Sequence, residues 1–521
     1  MAQPGSLPPA GRHGAGILGC VTSAAALPLR VDAIVVGSGA GGAPVAARLA
    51  EAGLEVLLLE AGPRLSSSDF TGDEGAMTAR LYTLRLASGS GLNLYAGACV
   101  GGSTVINDAL CFRTPPEILD AWRREGGLES FREESFAPFI DRAWADLGAA
   151  PTDRAHLNRN AHVLETGAAR LGWAAHAMAR NVRGCSNLGL CNFGCPTGAK
   201  QSTLVTYVPR AERAGARVVA DTRVHHLWLE AGRVRGVEAH RLDPTTRAPR
   251  EAVRVEAPLV VLAAGVLETP AILLRSGLGS AAVGRDLQFH TSLHVTGRFE
   301  EPINGYYGPT MAYAVTQFSD VNGSGGPGFM LENVAVHPIA TASALPGFGE
   351  AHARAMAQLP HLARALVVLR DRSRGVLGVD DDGRPGIRYV LEAYDRRRLR
   401  DGMLAIARAF LAAGALEVWL PLNGLPPLRS ERDLETLARL LFEPSAASLL
   451  YAVHLFGGAA MASSPLRGAC DESGQVFGVR GLFVSDASTL PSNTGVNPQI
   501  TIVANALRVA EGIVAAHPRA A

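Results

Sequence analysis

The apolar residues of this chain fall into short blocks rather than one long repeat. Residues 31–36 are an apolar run of strand length, rich in Val and Ile, which predicts a strand buried on both faces as in a parallel sheet. A glycine-rich stretch, residues 37–42, follows. Residues 43–52, many of them Ala, carry Val45 and Leu49 and suit a helix that Gly53 ends. Residues 55–60 read as a second strand. Later blocks have the same texture: an apolar strand at 258–264, Gly265 and a helical stretch over 268–276, then a strand at 481–486 and a closing helix over 497–514. Residues 222–239 alternate around a Gly-Arg turn and predict a hairpin.

Strand-and-helix texture therefore occurs at the start, middle and end of the chain. The expected class is α/β with α+β character: a Rossmann-like nucleotide-binding domain interleaved with a second domain built on an antiparallel sheet with helices. The nucleotide domain is expected over 30–115, 176–290 and 454–521, and the second over 116–175 and 291–453. Residues 1–29, rich in Pro, Gly and Ala, read as a flexible N-terminal arm.

Composition narrows the classes. The chain has 521 residues, 47% of them hydrophobic and 19% charged, enough to bury a large core. Its net charge of +1 argues against a dedicated nucleic-acid or anionic-membrane binder. The basic residues are nearly all Arg, and Lys200 is the sole lysine. No stretch reads as a membrane span, and the mildly apolar residues 15–29 lack the basic cluster of a secretory signal. The seven cysteines are unevenly spread and do not suggest a disulfide framework. A reducing, cytoplasmic setting is expected.

Gly37-x-Gly39-x-x-Gly42 follows a strand and opens a helix, and Glu60 ends the next strand. This is the context a dinucleotide fingerprint requires. Gly37 allows the tight turn, Gly39 lets backbone approach a pyrophosphate, and Gly42 lets helix and strand pack closely. Free N–H groups at the helix start favour phosphate, and Glu60 can accept from a ribose diol. Dispersal of the nucleotide-fold pieces over the whole chain favours FAD over NAD.

Four ordered blocks carry a wider likeness. They are residues 35–42 with Glu60-Ala61-Gly62, residues 97–107, residues 264–270 with 276–279, and His454-x-x-Gly457-Gly458 with residues 482–488 and 495–498. From about Val31 onward the chain resembles the glucose-methanol-choline (GMC) flavoprotein oxidoreductases, nearest the long-chain alcohol oxidase and cholesterol oxidase type. The resemblance implies FAD held by Gly37, Ser38, Gly39, Ala40, Gly41, Gly42, Glu60 and Ala61. It implies Gly101, Gly102, Ser103 and Asn107 beside the flavin, and the backbone of Val224 against adenine. Ala264, Asp486, Ala487 and Pro498 complete its cofactor set.

It further implies oxidation of a CH–OH group to aldehyde or ketone by hydride transfer to flavin N5, with a small-molecule alcohol as substrate and O2 or another acceptor as partner. His454 matches the family's base or hydrogen-bond position. Asn497 matches its second position, where an amide orients the substrate oxygen or meets the flavin. Glu332, after an apolar stretch, is a third candidate, since a buried carboxyl can have a raised pKa and move protons. Fatty alcohols, sterols and glycosidic natural products are the substrate candidates.

Cys185, Cys191 and Cys195-Pro196 open a second possibility. Three close thiols ending in Cys-Pro are similar to iron–sulfur ligation in some dehydrogenases of the family. The opposing reading is packed thiols. A dehydrogenase passing electrons to a quinone or cytochrome, a flavin-containing lyase and a silent flavin binder are the alternatives to the alcohol-oxidising enzyme.

Overall fold

The structure is a computed structural model that describes residues 30–437 and 439–517; the arm expected over 1–29 lies outside the described residues. Strand Ala33–Val36 pairs in parallel with Val56–Leu59 on one side and Leu259–Leu262 on the other. Arg217–Val219 and Leu482–Val484 extend the sheet at its two edges, again in parallel. The central strands are buried at every position, which is why they read as unbroken apolar runs rather than alternating ones. Helix Ala43–Glu51 packs on Gln499–Ala516 and Tyr207–Arg213. Gln499–Ala516 is the one described helix long and apolar enough to cross a membrane, and most of it is buried inside this core.

The hairpin lies where the alternation predicts it, as Thr222–Glu230 and Arg233–Leu242, and Pro249–Glu256 adds a third strand.

A larger, mostly antiparallel sheet of 11 strands is present among the described residues. At its centre Gln288–Arg298 lies between Tyr451–Phe456 and Leu362–Leu369, with Phe329–Asn333 beyond the latter. Tyr82–Gly89 and Leu92–Gly97 join beside Tyr451–Phe456. Phe289, Leu293 and Val295 belong to the main hydrophobic core, and helices Arg159–Arg170 and Ala393–Ala413 pack against these strands. The pleat sends the alternate residues to the opposite face. There the register sets Ser292 beside Tyr451, His294 beside Leu366, and Leu366 beside Glu332. This polar face of an otherwise apolar sheet is the floor of the candidate site.

Candidate active site

The fingerprint turn behaves as its glycines predict. A Cβ on Gly42 would come within 1.8 Å of the Gly37 carbonyl oxygen, so helix and strand can meet only without it. A Cβ on Gly39 would meet just the Gly102 Cα, at 3.8 Å, and otherwise point into open space. Gly39 and Gly102 thus face each other from two loops and leave a bare cradle between backbones. Gly41 abuts Asp486, at 2.7 Å from a Cβ to the Asp486 Cα.

Glu60 ties these loops together. Its Oε2 accepts from the Ser38 N–H at 3.0 Å and the Ser38 hydroxyl at 2.7 Å, and its Oε1 accepts from Gly62 N–H at 2.8 Å. The Ser38 oxygen accepts in turn from Gly101 N–H at 2.9 Å. Burial raises the Glu60 pKa against the pull of these donors. Ala61 gives its carbonyl to Arg247. Ala40 packs partly buried on the main core, and Val224 sits buried in the core cluster under the hairpin. Ala264 N–H donates to Thr269 Oγ1 at 3.0 Å. Asp486 accepts from Gly265 N–H, Thr269 Oγ1 and Ser488 N–H at 2.6–2.8 Å, so its carboxylate fixes the loop that Ala487 opens. Ser103 Oγ accepts from Gly97 N–H at 2.9 Å.

At the other end of the site, register slips between Phe289 and Thr291, opposite Leu455 and Ala452. One residue, His290, therefore faces two, Val453 and His454. Such a bulge re-aims side chains. Here it brings His290 Nδ1 within 3.1 Å of His454 Nδ1. His290 is fully buried and His454 is partly exposed. Burial pushes the His454 pKa down to about 4, and burial with the neighbouring ring pushes His290 well below its usual value. Two neutral rings so placed share one proton between the Nδ1 atoms. When His454 donates that proton, its Nε2 is left as an acceptor. His290 escaped the sequence reading, although the alternation Phe289, Thr291, Leu293, Val295 against His290, Ser292, His294, Thr296 announces a strand with one polar face.

Asn497 and Glu332 do come together: Asn497 Nδ2 lies 3.5 Å from Glu332 Oε2. Glu332 is fully buried, and desolvation lifts its pKa to about 8, with Asp108's charge raising it further and the Asn497 amide opposing. Among the described residues no hydrogen bond joins this pair to His454. The loop carrying Asn497 is nevertheless tied to the base of the His290 strand, through Asn493 N–H on Gln288 Oε1 and Asn493 Nδ2 on Asp371. Pro498 stands at the cap of the closing helix, and Gln499 accepts from the Asn107 amide. Tyr451 completes the floor: Arg364 donates to His294 Nδ1 at 2.5 Å, so His294 Nε2–H must donate to the Tyr451 oxygen at 2.6 Å.

Five buried polar atoms here have no protein partner: His290 Nε2, Glu332 Oε1, Asn497 Oδ1, Gln499 Nε2 and Asp108 Oδ1. Buried polar groups are ordinarily satisfied. Their concentration on residues of this one site, together with the bare Gly39–Gly102 cradle, fits a large polar cofactor and substrate.

Cys185, Cys191 and Cys195 line one small cavity, but among the described residues no three His, Cys, Asp or Glu converge as a metal would need. The thiols do not fit an iron–sulfur cluster. Lys200 lies beneath them. Its ammonium donates to the carbonyls of Val105, Asn107 and Cys191 at 2.6, 2.8 and 2.6 Å, and burial lowers its pKa to about 8. Lys200→Met would leave those carbonyls without this donor, and thermal unfolding should show a loss of roughly 3 kcal/mol.

A parallel nucleotide sheet with its glycine cradle, set against an antiparallel sheet bearing paired histidines, defines a flavin-dependent oxidoreductase architecture. Comparison with known proteins agrees. Residues 13–292 match a family model described as GMC oxidoreductase, and residues 371–506 match a second of the same description. An uncharacterised GMC-type oxidoreductase of Mycobacterium tuberculosis is 36% identical over 493 residues, covering 93% of this chain and 76% of that protein. A long-chain-alcohol oxidase of Arabidopsis thaliana is 30% identical, covering 93% of this chain and 67% of its own length. Pyridoxine 4-oxidase from Mesorbium loti shares the fold, with a TM-score of 0.71 at 20% identity over 93% of this chain and 99% of that one. The chain belongs to the GMC oxidoreductases and is an FAD-dependent enzyme acting on CH–OH donors.

Proposed function

We propose that the protein oxidises the CH–OH group of a fairly large alcohol, such as a fatty alcohol, a sterol or a glycosidic natural product, to the aldehyde or ketone. The observation that carries this is the neutral His454 presented by the bulge against His290. FAD, when bound, supplies the hydride acceptor. His454 Nε2 takes the hydroxyl proton, and His290 holds the ring in the tautomer that can do so. Asn497 orients the substrate oxygen through its amide. Glu332, kept protonated near neutral pH, holds the Asn497 side chain and can donate into the site. Gly37, Ser38, Gly39, Gly41, Gly42 and Glu60 hold the nucleotide, with Gly101, Gly102, Ser103 and Asn107 beside the ring.

His337, five residues along the chain from Glu332, lines with Leu190, Phe193, Tyr306, Tyr307 and Leu359 a cavity of about 360 Å³, a volume that would suit part of a large alcohol. The name of the Arabidopsis relative supports the same class. Either O2 or another acceptor takes the electrons. Six free cysteines among the described residues support a reducing, cytoplasmic setting.

The test is the visible spectrum of the purified protein, mixed without oxygen with a panel of long-chain, sterol and glycosidic alcohols. Bleaching of the flavin bands by one class supports the reading and names the substrate. Bound flavin that none of them bleaches defeats it.

Glu332 gives a pH prediction. Its folded pKa stands above the ordinary carboxyl value, so its contribution is fully present below about pH 4.5 and is lost as pH rises through about 8. Glu332→Gln should therefore match the parent's melting temperature at pH 5 and exceed it by a few degrees at pH 9.

A further inference from the structure

The thiols that do not hold a cluster are arranged for other chemistry. Cys195 opens a tight turn in which Gly198 takes φ +67° and donates its N–H to the Cys195 carbonyl at 3.0 Å. The Thr197 hydroxyl lies 3.4 Å from the sulfur, and the backbone N–H groups of Lys200, Thr197 and Ala199 favour its charged form. Donors of this kind favour a thiolate over a thiol. Burial alone would raise the Cys195 thiol, yet the donors outweigh it and hold the pKa below the usual value. The Cys191 sulfur accepts from the Arg180 guanidinium at 3.3 Å. Cys185, Cys191, Cys195, Thr197 and Lys200 border one cavity of about 20 Å³, room for a molecule the size of water or hydrogen peroxide. The remaining described cysteines differ. Cys99, Cys111 and Cys470 are buried, and burial raises all three, Cys111 to about 12.

We propose that this cavity is a peroxide-reactive thiol site, in which Cys195 is the attacking thiolate and Cys191 the resolving thiol. The Cys195 sulfur attacks one oxygen of a hydroperoxide, the O–O bond breaks, and hydroxide leaves to give the sulfenic acid. The Cys191 thiol then displaces that oxygen as water, forming the Cys191–Cys195 disulfide. With H2O2 the two thiols are oxidised by two electrons and two water molecules result. The site touches the flavin-side loop, since Lys200 spans from Cys191 to Val105 and Asn107, and Asn192 bonds Asp108. The inference does not depend on which alcohol the enzyme oxidises.

The experiment treats the holoenzyme with a few equivalents of H2O2, with and without a dimedone-type sulfenic-acid probe, and maps each cysteine by mass spectrometry. Cys195 should carry the probe when it is present, and Cys191–Cys195 should appear as a disulfide when it is absent. In Cys191→Ser the probe-labelled Cys195 should accumulate. In Thr197→Val the rate of iodoacetamide alkylation of Cys195 at pH 7 should fall about fivefold, while that of Cys185 stays put; circular dichroism confirms the variant is folded. The proposal is overturned by Cys195 oxidising no faster than Cys185, by a disulfide that leaves out Cys195, or by a folded Thr197→Val whose Cys195 alkylates at the parental rate.

Discussion

His454→Gln should slow the anaerobic bleaching of bound flavin by the alcohol by about 10²–10⁴-fold, the range a positioned proton acceptor supplies. Glutamine preserves much of the shape and can still hydrogen-bond, but its amide takes no proton near neutrality. The loss should fall on kcat, because the substrate's bulk is held elsewhere. The flavin should remain bound, since the Gly39–Gly102 cradle and the Glu60–Ser38 tie lie on other loops. In the parent enzyme the ring is neutral down to about pH 4, so its rate should be level from about pH 5 to 7, below the titration of Glu332, and fall below pH 5 as His454 takes a proton from solvent. That acid limb should vanish in the variant. His290→Gln should cost less, in kcat, and should displace the acid limb rather than abolish it, because His290 acts only through the other ring. A reduction below tenfold in His454→Gln would defeat the assignment of His454 as the proton acceptor.

The nucleotide half of the molecule was legible because its signals are local. A fully buried parallel strand writes itself as an unbroken apolar run, and a phosphate turn needs glycine at fixed offsets, so Ala33–Val36, Val56–Leu59 and Leu259–Leu262 stand within two residues of where the sequence puts them. The three catalytic candidates, by contrast, rested on resemblance, and periodicity said little about them. Asn497 and Glu332 meet across 165 residues of sequence, and no spacing rule foretells that. His290 was hidden for a different reason. Its strand is buried on both faces, one of them polar, and its alternation was passed over where the domains were expected to change. The bulge that turns His290 toward His454 is a mismatch between two strands, a property of their pairing that neither strand carries alone. The cysteine motif shows the converse limit. Its spacing is compatible with a cluster, yet among the described residues no three metal-ligating side chains gather there, and Cys195 has the Thr197 hydroxyl beside its sulfur instead.

Gly39→Val should abolish FAD binding and leave the protein folded. The position has room for a side chain in the protein itself: the Cβ meets only Gly102 Cα at 3.8 Å, and Gly39 is not among the glycines with positive φ. What the valine would fill is the cradle between the fingerprint turn and the second glycine loop, the space a pyrophosphate needs at the helix start. The expected protein is colourless, with a circular dichroism spectrum like that of the parent stripped of flavin and a similar melting temperature to that stripped form. Gly42→Val separates this from a general intolerance of the turn. There the Cβ would lie 1.8 Å from the Gly37 oxygen and 3.1 Å from the Ala263 side chain, so strand and helix must part, and the loss should be several kcal/mol, enough to threaten folding. Both variants lose flavin, but only one should lose structure. If Gly39→Val kept its flavin, the nucleotide could not lie against the first loop, and the cradle would belong to some other ligand. If it unfolded as Gly42→Val does, Gly39 would be a packing residue, and the open space in front of it would have to be explained by movement of the Gly101–Gly102 loop, which Ser38 and Thr203 hold in place through their bonds to the Gly101 backbone.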